Sequence, residues 1–95
     1  MKKVFLSLPM SGHTDGWIRD QIELMKHALK DDEIAVDNYI EKPEGSERLY
    51  CLGEAIKKLG ECDAIMLHPR WIDANGCVIE YYVARQYGLE IIDLR

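Results

Sequence analysis

The chain predicts an α/β fold, a flavodoxin- or Rossmann-like three-layer sandwich around a four-stranded parallel sheet in the order 2-1-3-4. Four short apolar runs alternate with three segments whose apolar residues recur at helical spacing. The third run, Asp63 to His68, is apolar nearly throughout its interior, as a central parallel strand buried on both faces would be. Such alternation calls for a parallel sheet with helices on both faces, and right-handed crossovers set strands one and three side by side.

Each element has its own signal. Val4 to Leu8 is the first strand, stopped by Pro9. Ser11-Gly-His-Thr-Asp15 is a loop, and Thr14 or Asp15 caps the helix that follows. Ile18, Ile22, Met25 and Leu29 form one face of that helix, which runs to about Lys30 before Asp31-Asp32 ends it. Glu33 to Asp37 is a second strand whose apolar part is only Ile34, Ala35 and Val36. Asn38 to Gly45, with Pro43 and Gly45, is a surface loop. Ser46 caps the second helix, which carries Leu49, Leu52, Ile56 and Leu59 on one face and stops at Gly60. Pro69 to Asn75 is loop again. The third helix extends to about Tyr87, with Ile79, Val83 and Tyr87 as its buried face, Glu80 at the margin of that face and Gly88 as its stop. Leu89 to Leu94 is the last strand. No repeat, linker or low-complexity segment interrupts the series, so residues 1–95 read as one domain.

Composition excludes several classes. A net charge of -5 argues against a nucleic-acid polymer or an anionic membrane surface, which need a basic patch. A single nucleoside or nucleotide is not excluded by that charge. Cys51, Cys62 and Cys77 are odd in number and lack C-x-x-C spacing, which fits free thiols in a cytoplasmic protein. The apolar start is too short for a signal peptide, and no run reaches membrane-spanning length. So small a domain leaves apolar helix surface to cover, which predicts a homo-oligomer, a dimer above all, with Trp17, Tyr50, Tyr81 and Tyr82 as contact residues.

In an open α/β sheet, ligands bind outside the C-terminal ends of the strands. The predicted order gathers Ser7, Met10, Ser11 and Gly12 opposite His68, Trp71, Asp73, Asn75 and Glu80 at that edge, with Asp37, Asn38 and Tyr39 beside them. No G-x-x-x-x-G-K-S/T or G-x-G-x-x-G motif follows the first strand, so triphosphate and dinucleotide fingerprints are lacking. The acidic pair of a response-regulator receiver and the G-x-S-x-G elbow of a serine hydrolase are missing too. His13, His27 and His68 have no ligand-like spacing, and His27 reads as a surface residue; neither a metal nor a cofactor is expected.

Carboxylate chemistry remains. Glu80 is the candidate nucleophile or base, with Asp73, Asp37 and Asp63 as possible partners. Each has a structural alternative. Glu80 could merely offset the helix dipole, Asp73 could cap the third helix, and Asp37 could be a solvated turn residue. Asp63 opens the third strand at the opposite sheet edge, which favours a structural role. Trp71 either stacks on a flat ligand ring or lids the core. Asn75-Gly76 either lets backbone approach a ligand or is a turn dipeptide.

Three segments carry a resemblance across essentially the whole chain. Val4-Phe-Leu-Ser-Leu-Pro-Met-Ser-Gly12 is like a first strand ending in S-G-P-M-S/T-G. Glu61-Cys-Asp-Ala-Ile-Met-Leu-His-Pro-Arg-Trp71 is like an E-C-D-A strand followed by a P-x-W turn. Gly76-x-x-x-Glu80 then precedes a helix and Gly88. In this order the segments resemble the nucleoside 2-deoxyribosyltransferase-like family, in its small, often phage-encoded branch. The resemblance implies one such domain over residues 1–95, in which Glu80 attacks the anomeric carbon of a 2-deoxyribonucleoside or its monophosphate. It implies that Ser7, Met10, Ser11 and Gly12 line the pocket and that residues from Asp73 to Gly76 hold the sugar, with transfer to another base or to water completing a retaining double displacement. The chain departs from that pattern at Leu8, where the family has glycine, and at Ala74, six residues before Glu80, where it has aspartate or serine. It has no Gly-Gly-Arg phosphate loop, and it stops after the fourth strand, where larger members continue. The expected function is N-glycosidic cleavage or transfer. The alternative is a non-catalytic module that binds a nucleoside or nucleotide on the same scaffold, and a purely structural domain is the third reading.

Overall fold

Side-chain alternation along the first strand, β1 (Lys2–Ser7), decides how the molecule is layered. Val4, Leu6 and the following Leu8 face one side of the sheet, Phe5 and Ser7 the other, and all five are buried. The structure is a computed structural model and describes residues 1–36 and 48–95. After β1 come α1 (Asp15–Lys26), β2 (Glu33–Val36), α2 (Arg48–Leu59), β3 (Ala64–Leu67), a 3-10 turn (Trp71–Asp73), α3 (Asn75–Gln86) and β4 (Glu90–Asp93). The sheet is parallel throughout in the order β2-β1-β3-β4, as predicted. Val4 lies against Ala35 on one side and Ala64 on the other, and Ala64 against Glu90.

The two faces hold separate cores. Val4, Leu6, Leu8, Ala64 and Met66 meet Ile18 and Met25 of α1. Phe5, Ile65 and Leu67 meet Ala55 and Leu59 of α2, Cys77 and Ala84 of α3, and Trp71. Handedness explains the division. The chain steps one way along the sheet from β1 to β2 and the other way thereafter, so right-handed crossovers place α1 alone on one face.

Local chemistry sets the ends of the elements. Thr14 caps α1, its hydroxyl accepting the backbone N–H of Trp17 at 3.1 Å. The α1 helix ends at Lys26, short of the expected Lys30, because the chain tightens there into bonds from His27, Ala28 and Leu29 to carbonyls three residues back. Leu29 still packs against the core from that turn. Gly88, at φ +78°, ends α3 in the left-handed conformation that glycine adopts without a Cβ penalty. The expected cap Ser46 and the loop 38–45 lie outside the described residues.

One helix face differs from expectation. The buried residues of α3 are Cys77, Glu80 and Ala84, whereas Ile79 is 41% and Tyr87 81% exposed. Thiol and methyl side chains let the helix lie close on the sheet, and larger groups at those positions would hold it away. Asp73 does not cap this helix. Ala74 stands at the N-cap with no side-chain bond, and the exposed Asp73 pairs with Arg70 at 3.4 Å.

Charged groups secure the N-terminal edge of the sheet. The Lys2 ammonium lies 2.7 Å from Glu90 and 3.6 Å from the buried Glu33. The other carboxylate oxygen of Glu33 accepts the Lys30 N–H at 2.9 Å. Asp63 accepts the backbone N–H of Lys3 at 2.8 Å, a structural role at the edge far from the strand ends. All three cysteines are free thiols. Among the described residues no helix is long and apolar enough to cross a membrane.

Candidate functional site

Ser7 ends β1, and its hydroxyl points to the face covered by α2 and α3. There it donates a 2.7 Å hydrogen bond to Oε1 of Glu80. Ser7 is 0% and Glu80 8% exposed. Glu80 lies beyond the first turn of α3, which contains no acidic residue, so offsetting the helix dipole does not account for it. Burial pushes the Glu80 carboxyl up to about 7, while the Ser7 hydroxyl pulls it part of the way back. Among the described residues no cation stands against it. Cys77, one turn earlier, is buried against the same pair; burial pushes its thiol up to about 12, Ser7 opposing and Glu80 adding to the rise, so it stays protonated.

The other expected site residues are scattered. Ser11 and Gly12 are exposed in a turn closed by the His13 N–H on the Met10 carbonyl at 3.1 Å, and Gly12 takes φ +83° there. The Ser11 hydroxyl accepts from the Arg48 guanidinium at the start of α2, which ties that turn to the second helix. Met10 is half-buried and packs on the α1-side core. Asn75 is exposed at the start of α3, and a Cβ at Gly76 would meet open space, so packing does not demand that glycine. Asp37 and Asn38 lie outside the described residues.

Of the two readings of Trp71, ligand stacking and core lid, the structure takes the core lid. It is 6% exposed and fills the core on the α2–α3 face, its ring 4.8 Å from that of Tyr81. A buried indole N–H needs an acceptor. Here it donates to Asp93 at 3.1 Å, and the Arg95 guanidinium sits 5.4 Å from the ring.

His68 and Glu80 were expected to share one crevice, but they lie on opposite faces. Ser7 is level with Leu67 in the register, so the next residue, His68, turns towards α1. Its Nδ1 accepts the Arg70 N–H at 3.0 Å, which leaves Nε2 protonated to donate to Gln21 Oε1 at 2.7 Å. Burial lowers its pKa, with the charges of Arg70 and His13 acting the same way, so the ring is neutral at pH 7. Trp17 lies 5.8 Å from it, and His13 stacks on Trp17 at 3.7 Å. A groove of about 180 Å³ beside it is lined by Gln21, Leu24, Met25, His68, Pro69 and Leu94. Among the described residues no group of three or more His, Cys, Asp or Glu is arranged to hold a metal ion.

These features define a doubly wound parallel α/β domain whose strand ends carry a buried carboxylate bonded to a hydroxyl. The chain belongs to the family described as a domain of unknown function, DUF4406, whose model matches residues 2–93. No curated protein matches it.

Proposed function

We propose that the domain cleaves or transfers the N-glycosidic bond of a 2-deoxyribonucleoside or its monophosphate, with Glu80 as nucleophile. The observation that carries this reading is a buried carboxylate at the strand ends with a hydroxyl partner and no cation among the described residues. A buried structural carboxylate is ordinarily neutralised by Lys or Arg, because an unpaired buried charge is strongly destabilising. Groups left in that condition cluster at functional sites. The chemistry suits the reaction. Breaking a glycosidic bond builds positive charge at the anomeric carbon, and an uncompensated anion is complementary to it. A Glu80 oxygen donates a lone pair to that carbon while the carbon–nitrogen bond breaks and its electrons leave with the base. The resulting ester is then opened at the same carbon by water or by a nitrogen of a second base, which releases the carboxylate. The resemblance of the strand-one, strand-three and G-x-x-x-E segments to the nucleoside 2-deoxyribosyltransferase-like family supports the same reading.

The low exposure of Glu80 favours a second reading, a module that binds such a ligand without attacking it. One assay separates the two. Deoxynucleosides and their 5'-monophosphates are incubated with the protein, and free base is sought by chromatography. The reading expects base release that falls by several orders of magnitude in Glu80→Gln, the scale of a lost nucleophile. Unchanged release in that variant removes Glu80 from the mechanism, and ligand-induced thermal stabilisation without release favours the binding module. Three free thiols support a cytoplasmic setting, and the exposed Tyr50 and Tyr82 support assembly as a homodimer.

A further inference from the structure

We infer that Ser7 is a positioning residue for Glu80: its hydroxyl holds Oε1 of the carboxylate and leaves Oε2 as the oxygen offered to a ligand. The inference rests on the reaction proposed above and names the group that aims its nucleophile. Three observations carry it. Ser7 has no exposed surface, so a ligand cannot touch it, and its expected part in substrate binding gives way to contact with Glu80. The 2.7 Å separation is the ordinary length of a well-formed O–H···O hydrogen bond. No other hydrogen bond reaches the Glu80 carboxylate among the described residues. The last torsion of a glutamate has broad wells, so a single bonded partner decides how the carboxylate is turned.

The surroundings do not compete for that role. The Cys77 thiol faces the Ser7 hydroxyl but stays protonated, so it does not draw the hydroxyl proton away as a thiolate would. No charged side chain of the described residues shifts Glu80. Ser7 is therefore the one polar handle on this carboxylate within the described structure, set on a central strand whose position both neighbouring strands fix.

The test compares wild type, Ser7→Ala and Ser7→Thr. The Glu80 carboxyl is titrated directly by carbon NMR, and kcat and KM for base release are measured across pH. With the hydroxyl gone, the Glu80 titration midpoint should rise by about one to two pH units. The alanine variant should lose about ten- to a hundredfold in kcat with KM unchanged, as a misaimed nucleophile would, and the rising limb of its pH profile should move up with the titration. Threonine, which keeps the hydroxyl, should restore both. An unmoved midpoint in Ser7→Ala overturns the inference, as does a raised KM with an unmoved profile, which would put Ser7 on the substrate. Should the alanine variant not fold, Ser7→Cys, close in size but a weak donor, must show the same upward shift. If wild type releases no base from any nucleoside, the proposed reaction fails, and the titration alone still decides whether Ser7 governs Glu80.

Discussion

Glu80 binds its proton more tightly in the folded protein than in the unfolded chain, and that difference makes stability depend on pH. Its pKa rises from 4.5 to about 7 on folding, so between those values the native state holds a proton that the unfolded state has released. The stability tied to this group is complete below pH 4.5, declines as pH rises, and is gone above about 7. The full loss is about 3 kcal/mol. Glutamine keeps an acceptor for Ser7 and carries no charge. Glu80→Gln should therefore match wild type in stability near pH 4.5 and exceed it by up to about 3 kcal/mol at pH 8. Melting curves of both proteins from pH 4.5 to 8.5 check this, and a constant difference between them would sink it. At this scale the sequence pointed to Glu80 through its place on a helix after a central strand. The bond to Ser7 was hidden, because it joins residues 73 positions apart and depends on which way two side chains turn.

Among the elements, α3 shows where hydrophobic pattern and packing part company. Ile79, Val83 and Tyr87 make the more apolar stripe, yet of these only Val83 packs on the core, and the helix settles on Cys77, Glu80 and Ala84. Hydropathy ranks side chains by their cost in water, while close approach to a sheet selects small ones, and a carboxyl with a hydrogen-bond partner is admitted among them. Ala84→Leu should therefore destabilise by about 1–3 kcal/mol through overpacking. Tyr87→Ser should stay within about 0.5 kcal/mol of wild type, as an exposed substitution does. Chemical denaturation of the two variants reads both numbers, and the reverse ranking would restore the stripe as the buried face. β1 and β3 were easier to read, because in each an apolar run is soon followed by a proline, Pro9 or Pro69, that cannot continue a central strand. The opposite facing of His68 and Glu80 needed the register of β1 on β3, which no single segment carries.

The whole molecule followed from alternation and handedness, which is why the strand order was legible without any contact being known. Assembly is a separate matter. The half-exposed Tyr50 on α2 and Tyr82 on α3 would be covered in the proposed homodimer. Light scattering at micromolar concentration should then give twice the chain's 11.0 kDa, and Tyr82→Glu should return the single mass; a monomer in the wild type ends that proposal. The cluster around Lys2 has a consequence of its own. On β1, Lys2 pairs with Glu33 on the neighbouring β2 and with Glu90 on β4, beyond β3, while Glu80 and Ser7 meet at the far end of the same strand. Dissolved salt weakens attractions between charges near the surface, and it has far less hold on a buried hydroxyl and carboxylate. Ionic strength thus acts on the exposed Lys2–Glu90 pair at one end of this sheet and proton concentration on Glu80 at the other, so the two ends answer to different changes of solvent.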